Sequence, residues 1–104
     1  MSQPSLAVSN GVVREMVRLA AMEVPGVLRV GWAGGPLRRF LAGRPVRVRI
    51  RHGAVEARVV VVARPGQPLA ELAADVQVAV TAAIERLLGL DLGAVTIRID
   101  GVGG

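Results

Sequence analysis

Val46-Arg47-Val48-Arg49-Ile50-Arg51-His52-Gly53-Ala54-Val55-Glu56-Ala57-Arg58-Val59 is the stretch that decides the fold. Val46, Val48 and Ile50 alternate with Arg47, Arg49 and Arg51, the period-two pattern of a half-buried strand. His52-Gly53 supplies a tight turn, because glycine takes a positive φ without steric cost. A two-residue turn places Arg49 opposite Glu56 and Arg47 opposite Arg58. Val46, Val48, Ile50, Val55, Ala57 and Val59 then share the buried face, and the returning strand runs to about Ala63.

Outward from this hairpin, the segments on both sides carry helical periodicity. Ser9 reads as an N-cap for a helix over Asn10–Met22, with Val13, Met16, Val17 and Ala20 inward and Arg14, Glu15 and Arg18 outward. Pro25-Gly26 stops it, the glycine permitting the reversal, and Val27–Trp32 reads as a strand. Pro36 to Gly43 fits one or two helical turns carrying Leu37, Phe40 and Leu41 beside Arg38 and Arg39. Beyond the loop Arg64-Pro65-Gly66-Gln67, Pro68 opens a long helix to about Leu88. Its apolar stripe is Leu69, Leu72, Val76, Val80, Ala83, Ile84 and Leu87, with Glu71, Asp75 and Glu85 outside. Val95, Ile97 and Ile99 alternate with Thr96, Arg98 and Asp100 in a last strand. Leu6-Ala7-Val8 reads as a short edge strand and Gly101–Gly104 as a frayed end.

These elements predict an α/β (α+β) two-layer sandwich, two helices packed on one face of a small mixed or antiparallel sheet. A chain of 104 residues forms one domain, 1–104, with an ordered core over about 6–100. It has no cysteine, which removes disulfides, thiolate metal sites and cysteine nucleophiles. The start lacks a basic segment followed by an apolar run, so no signal peptide is expected. The longest apolar run, Val59–Ala63, is far below the roughly 18 residues of a membrane span. A soluble, cytoplasmic protein is the expectation.

Little here supports catalysis. His52, the one histidine, falls in the hairpin turn, where a general base has neither pocket nor orienting partner. Glu71 and Asp75 lie four apart on a helix and read as a solvated face. No metal site, cofactor motif or small-molecule substrate site is expected.

The charge is more informative. The net charge is +5, and every basic residue is an arginine, whose planar fork suits carboxylates and phosphates. Arg47, Arg49, Arg51, Arg58 and Arg98 are expected on the outer sheet face, opposed by Glu56 and Asp100. Trp32, Arg38, Arg39, Phe40 and Leu41 form a second candidate surface, read either as core-edge packing or as a contact for a partner or membrane. A solvated face explains the stripe equally, since charge discourages edge pairing.

The chain also resembles a known family. Glu23-Val24-Pro25-Gly26-Val27, the run Val59–Ala63 followed by Arg64-Pro65-Gly66, Val76-Gln77, Leu88-Gly89-Leu90 and Val95-Thr96-Ile97 resemble, in order and spacing, the alkaline shock protein family of bacterial envelope-stress proteins. The likeness spans about Leu6 to Val102. It implies a cytoplasmic protein with no catalytic residues, abundant under cell-envelope stress and sometimes held at the membrane by a separate anchored partner. For some members it implies a link to fatty-acid synthesis through acetyl-CoA carboxylase. The chain departs from the pattern in its arginine-rich hairpin and in Arg64-Pro65, where an aromatic is expected.

The resulting expectation is a non-catalytic interaction or scaffold protein. It binds a membrane-linked or acidic protein partner and self-associates through an acidic helix face and a basic sheet face. The alternative is a nucleic-acid-binding module using the arginine face, with an anionic membrane surface as a further partner class.

Overall fold

In a computed structural model, residues 9–89 and 91–103 are described. The first helix, α1 (Asn10–Met22), starts where expected, with the Ser9 hydroxyl accepting from Val12 N–H at 3.3 Å. Next come β1 (Val27–Val30), α2 (Pro36–Ala42), β2 (Val46–Arg51) and β3 (Ala54–Ala63). The long helix α3 (Leu69–Ala83) widens into a π-helical turn over Ile84–Leu88, and β4 (Asp91–Val102) closes the chain. The predicted edge strand at Leu6–Val8 lies outside the described residues.

The sheet is mixed. β3 is its axis: β4 pairs along one side in parallel, and β2 and β1 pair antiparallel on the other. The β2 register follows from the turn, with Arg49 opposite Glu56 and Arg47 opposite Arg58. His52 and Gly53 both take positive φ, 51° and 77°, the pair of left-handed residues that matches a right-twisted hairpin.

Val60 organises the other half of that side. Its N–H donates to Pro45 O at 2.8 Å, and its carbonyl accepts from Gly31 N–H at 2.9 Å. One residue of β3 therefore receives both the chain leaving β1 and the chain entering β2. Residues 31–45 are a closed excursion with both ends pinned to Val60, the geometry of an Ω-type loop.

Helices α1 and α3 pack on one face over Val46, Val55, Ala57, Val59, Val61 and Ala63, with Val13, Val17, Leu72, Val76 and Val80 from the helices. Val60 and Val62 point to the opposite face, yet they too are buried. Alternation in β3 ends at Arg58, beyond which the strand is covered on both sides, as its unbroken apolar run requires. Gly103 lies against Leu28 and Val62 at this end of the outer face.

Four expectations differ from the structure. Ile50 is 36% exposed, beside the hairpin turn at the margin of the helix-covered core. Leu69, in the first turn of α3, is 43% exposed because the helix docks from Leu72 onward. The expected frayed end is paired instead: Gly101 and Val102 extend β4, and Gly103 N–H donates to Ala63 O at 2.9 Å. Gly26 has an ordinary negative φ, so conformation is not what calls for glycine there. A Cβ would fall 2.7 Å from Gln67 Oε1 and 2.8 Å from Leu72 Cδ1, so the small residue makes room for the α3 entry.

The turn yields a direct test. Gly53→Ala places a side chain at positive φ and should lower stability by about 1–2 kcal/mol. His52→Asn keeps the turn and should be neutral or slightly stabilising. Urea denaturation of both variants, read by circular dichroism, measures the difference.

Candidate functional site

The outer sheet face is divided into two unlike halves. On the hairpin half, Arg47, Arg49, Glu56 and Arg58 project away from the helices, because Val46, Val55, Ala57 and Val59 on the same strands point inward. With Ala94 and Thr96 they line an open groove of about 530 Å³. Arg47 and Arg58 are direct cross-strand partners, a like-charge arrangement that destabilises a sheet. Among the described residues, ion pairs within 4 Å are Arg18–Glu15, Arg38–Asp100 and Arg98–Asp100, so the groove arginines keep their charge free. Arg51 continues the stripe to the exposed tip.

The other half is covered by the excursion. Ile97 and Ile99 of β4 pack on the core, which turns Arg98 and Asp100 outward. Asp100 holds the excursion down. Its Oδ2 accepts from Ala33 N–H at 3.0 Å and from Arg38 Nη1 at 2.8 Å, while Oδ1 accepts from Arg38 Nη2 at 3.3 Å. Arg98 approaches Oδ1 at 3.4 Å. The Arg38 and Arg98 guanidinium groups lie 5.8 and 5.4 Å from the Trp32 ring centre, within cation–π range. Trp32 Nε1 donates to Gly43 O at 3.0 Å, closing the excursion across its own neck.

The carboxylate of Asp100 is only 6% exposed but fully partnered. The Arg38 hydrogen bonds, helped by the Ala33 N–H and the charges of Arg38 and Arg98, outweigh burial and bring its pKa from 3.8 down to about 2.

Short helix α2 is turned inside out. Leu37, Phe40 and Leu41, spaced three and four apart, share one face and are 71%, 82% and 71% exposed. Arg38 and Arg39 fall on the opposite side and reach back to the body of the excursion, Arg38 to Ala33 O and Asp100, and Arg39 Nε to Gly34 O at 3.0 Å. No residue of α2 is buried. Core-edge packing of Phe40 and Leu41, one of the two expectations for them, is therefore corrected. The polar anchors claim the inward side of the helix and leave its apolar side to solvent. Full burial of one such side chain is worth about 1.5–3 kcal/mol, so the exposed trio is a sizeable unused driving force.

The structure thus brings Arg47, Arg49 and Arg58 together and separates Arg98, which faces the same way but belongs to the Trp32–Asp100 cluster. The anchoring role of Asp100 does not emerge from the sequence reading. The available signal is its outward position on β4, one residue past the inward Ile99. Arg29 and Arg39 flank a second, smaller cleft beside Trp32 and Gly43.

Removing the anchor should release the excursion. Asp100→Ala strips Ala33 and Arg38 of their acceptor and should cost about 1–3 kcal/mol. The folded-state pKa lies below the unfolded value, so the contribution of Asp100 is complete above about pH 4 and is lost as pH falls toward about 2. Thermal melts of wild type and Asp100→Asn should therefore differ at neutral pH and converge through this acid window.

The fold is shared with solved structures of the MamM CTD. Its copper form superposes with a TM-score of 0.64 at 20% identity, over 88% of this chain and 84% of that one. A nickel-form variant gives 0.63 at 20% identity, over 88% and 96%. A triply substituted variant gives 0.62 at 21%, over 88% and 93%. At this identity the likeness concerns fold alone. No curated protein matches the sequence. The model of the alkaline shock protein 23 family, described as having a cell envelope-related function, matches residues 2–103, and it is the same family that the sequence motifs resemble. With nearly its whole length covered, the chain belongs to the alkaline shock protein 23 family.

Proposed function

We propose that this protein is a non-catalytic interaction module in a cell envelope-related role, binding an acidic protein partner on the hairpin half of its outer sheet face. One observation carries the reading: Arg47, Arg49 and Arg58 stand together on an uncovered sheet surface, with their charges unpaired and with Arg47 directly against Arg58. A face selected only for solubility gains nothing from like charges in register, whereas an anionic ligand relieves their repulsion. Arginine forks suit carboxylate side chains bidentately.

The copper and nickel forms belong to the MamM structures. Among the described residues here, no group of three His, Asp or Glu could hold a metal, and the reading takes no metal over. A nucleic-acid ligand has the same charge preference but lacks its usual stacking partner in the groove. Trp32, the one tryptophan, lies outside the groove and already has the Arg38 and Arg98 guanidinium groups 5.8 and 5.4 Å from its ring centre. The acidic positions Glu71, Asp75 and Glu85 on the helix layer also fit a basic sheet face of a second copy, which supports self-association as one form of the acidic partner.

Immobilised wild-type protein should retain acidic proteins from lysate both before and after nuclease treatment, and release them as salt rises. Arg47→Glu with Arg49→Glu should retain none of them; an unchanged set sinks the reading, and retention that nuclease abolishes transfers the face to nucleic acid. Arg58→Thr sharpens the test, because it removes the like-charge pair. It should raise stability by about 0.2–1 kcal/mol while weakening capture.

A further inference from the structure

The geometry points to α2 as a wedge that seats the protein on an anionic lipid surface, with Leu37, Phe40 and Leu41 entering the acyl boundary and the exposed Arg44 at the headgroups. The site is distinct from the sheet groove. Three observations select this occupant. The apolar side chains stand on the outside of a projecting helix, at 71–82% exposure, rather than lining a groove that a partner side chain could fill. A standard protein interface needs about 800 Å² per partner, more than three side chains on a seven-residue helix supply, whereas insertion into lipid needs only those side chains. Finally, the charge of the excursion has one sign: Arg38, Arg39 and Arg44 are its ionisable residues, with no carboxylate between residues 31 and 45. That complements phosphate headgroups.

The way α2 is held supports the same conclusion. A loose apolar loop would collapse onto the nearest core, but this helix is fixed polar side inward. Arg38 bridges to Asp100 on β4, Arg39 bonds Gly34 O, and Trp32 bonds Gly43 O. The wedge is therefore presented ready-made, so binding loses little conformational entropy.

Flotation with vesicles tests the assignment. Wild type should float with phosphatidylglycerol–phosphatidylcholine vesicles, less so at higher salt, and not with phosphatidylcholine alone. Leu37→Ser with Phe40→Ser should lower partition by about tenfold or more, since each inserted side chain contributes through its buried apolar area. Both residues are exposed, so the melting temperature should hold. Leu41→Ser with Arg44→Glu gives a second variant and should show the same loss. Absence of wild-type flotation on anionic vesicles, or equal flotation of wild type and both variants, overturns the proposal. So does a lipid-free dimer that Phe40→Ser dissolves, which would make a second copy the occupant. The groove variant Arg47→Glu with Arg49→Glu separates the two readings: it should lose protein capture and keep flotation. Retained capture sinks the groove reading, whereas lost flotation overturns the wedge by moving the lipid contact to the groove arginines.

Discussion

Both ends of the 31–45 excursion depend on one residue's backbone. Val60 donates to Pro45 and accepts from Gly31, so a single position in β3 closes a fifteen-residue loop at its neck. Ring closure of that length would be entropically costly if the ends were free. Here the sheet holds both ends, Asp100 ties the excursion to β4, and Trp32–Gly43 and Arg39–Gly34 bonds brace it from within. Everything exposed on the outer face follows from this arrangement. The excursion is held over Arg98 and Asp100 on one half, and the hairpin half stays open.

The two halves accept opposite compromises. The hairpin half leaves arginines unpaired and sets Arg47 against Arg58. The excursion half uses its polar contacts to hold α2 in place, and leaves Leu37, Phe40 and Leu41 in water. Each arrangement is unfavourable for an isolated chain, and each is relieved by a ligand of matching chemistry. The helix layer shows neither feature to the same degree. Its buried side is continuous with the core, and its outer side is solvated and acidic at Glu71, Asp75 and Glu85.

Much of the fold is legible in the sequence because its signals are local. Ser9 capping, the His52-Gly53 turn and the Val46–Val59 alternation each depend on neighbours a few residues away. The β2–β3 register then follows, since a two-residue turn leaves one pairing that keeps valines on the core side. One further signal lies in plain view: β3 changes from alternation to an unbroken apolar run at Val59, which marks the point where its outer face becomes covered. The candidate surfaces are legible as lists of residues rather than as arrangements. Alternation alone groups Arg98 with the hairpin stripe, although a parallel strand places it beside Val60, next to Trp32.

By itself, then, the sequence determined the bounds of α1, the hairpin and its register, the inward face of α1 and that of α3 from Leu72 onward, and a family membership carried by short motifs in order. Only the tertiary structure decided which way α2 faces, where Arg98 and Asp100 lie, and that Gly101 and Gly103 are paired. The physical reason is the range of the interactions. Helix periodicity shows that Leu37, Phe40 and Leu41 share a side, but not whether that side meets protein or solvent. That choice is made 62 residues away, where Asp100 offers Arg38 a buried carboxylate and turns the helix with its polar side inward.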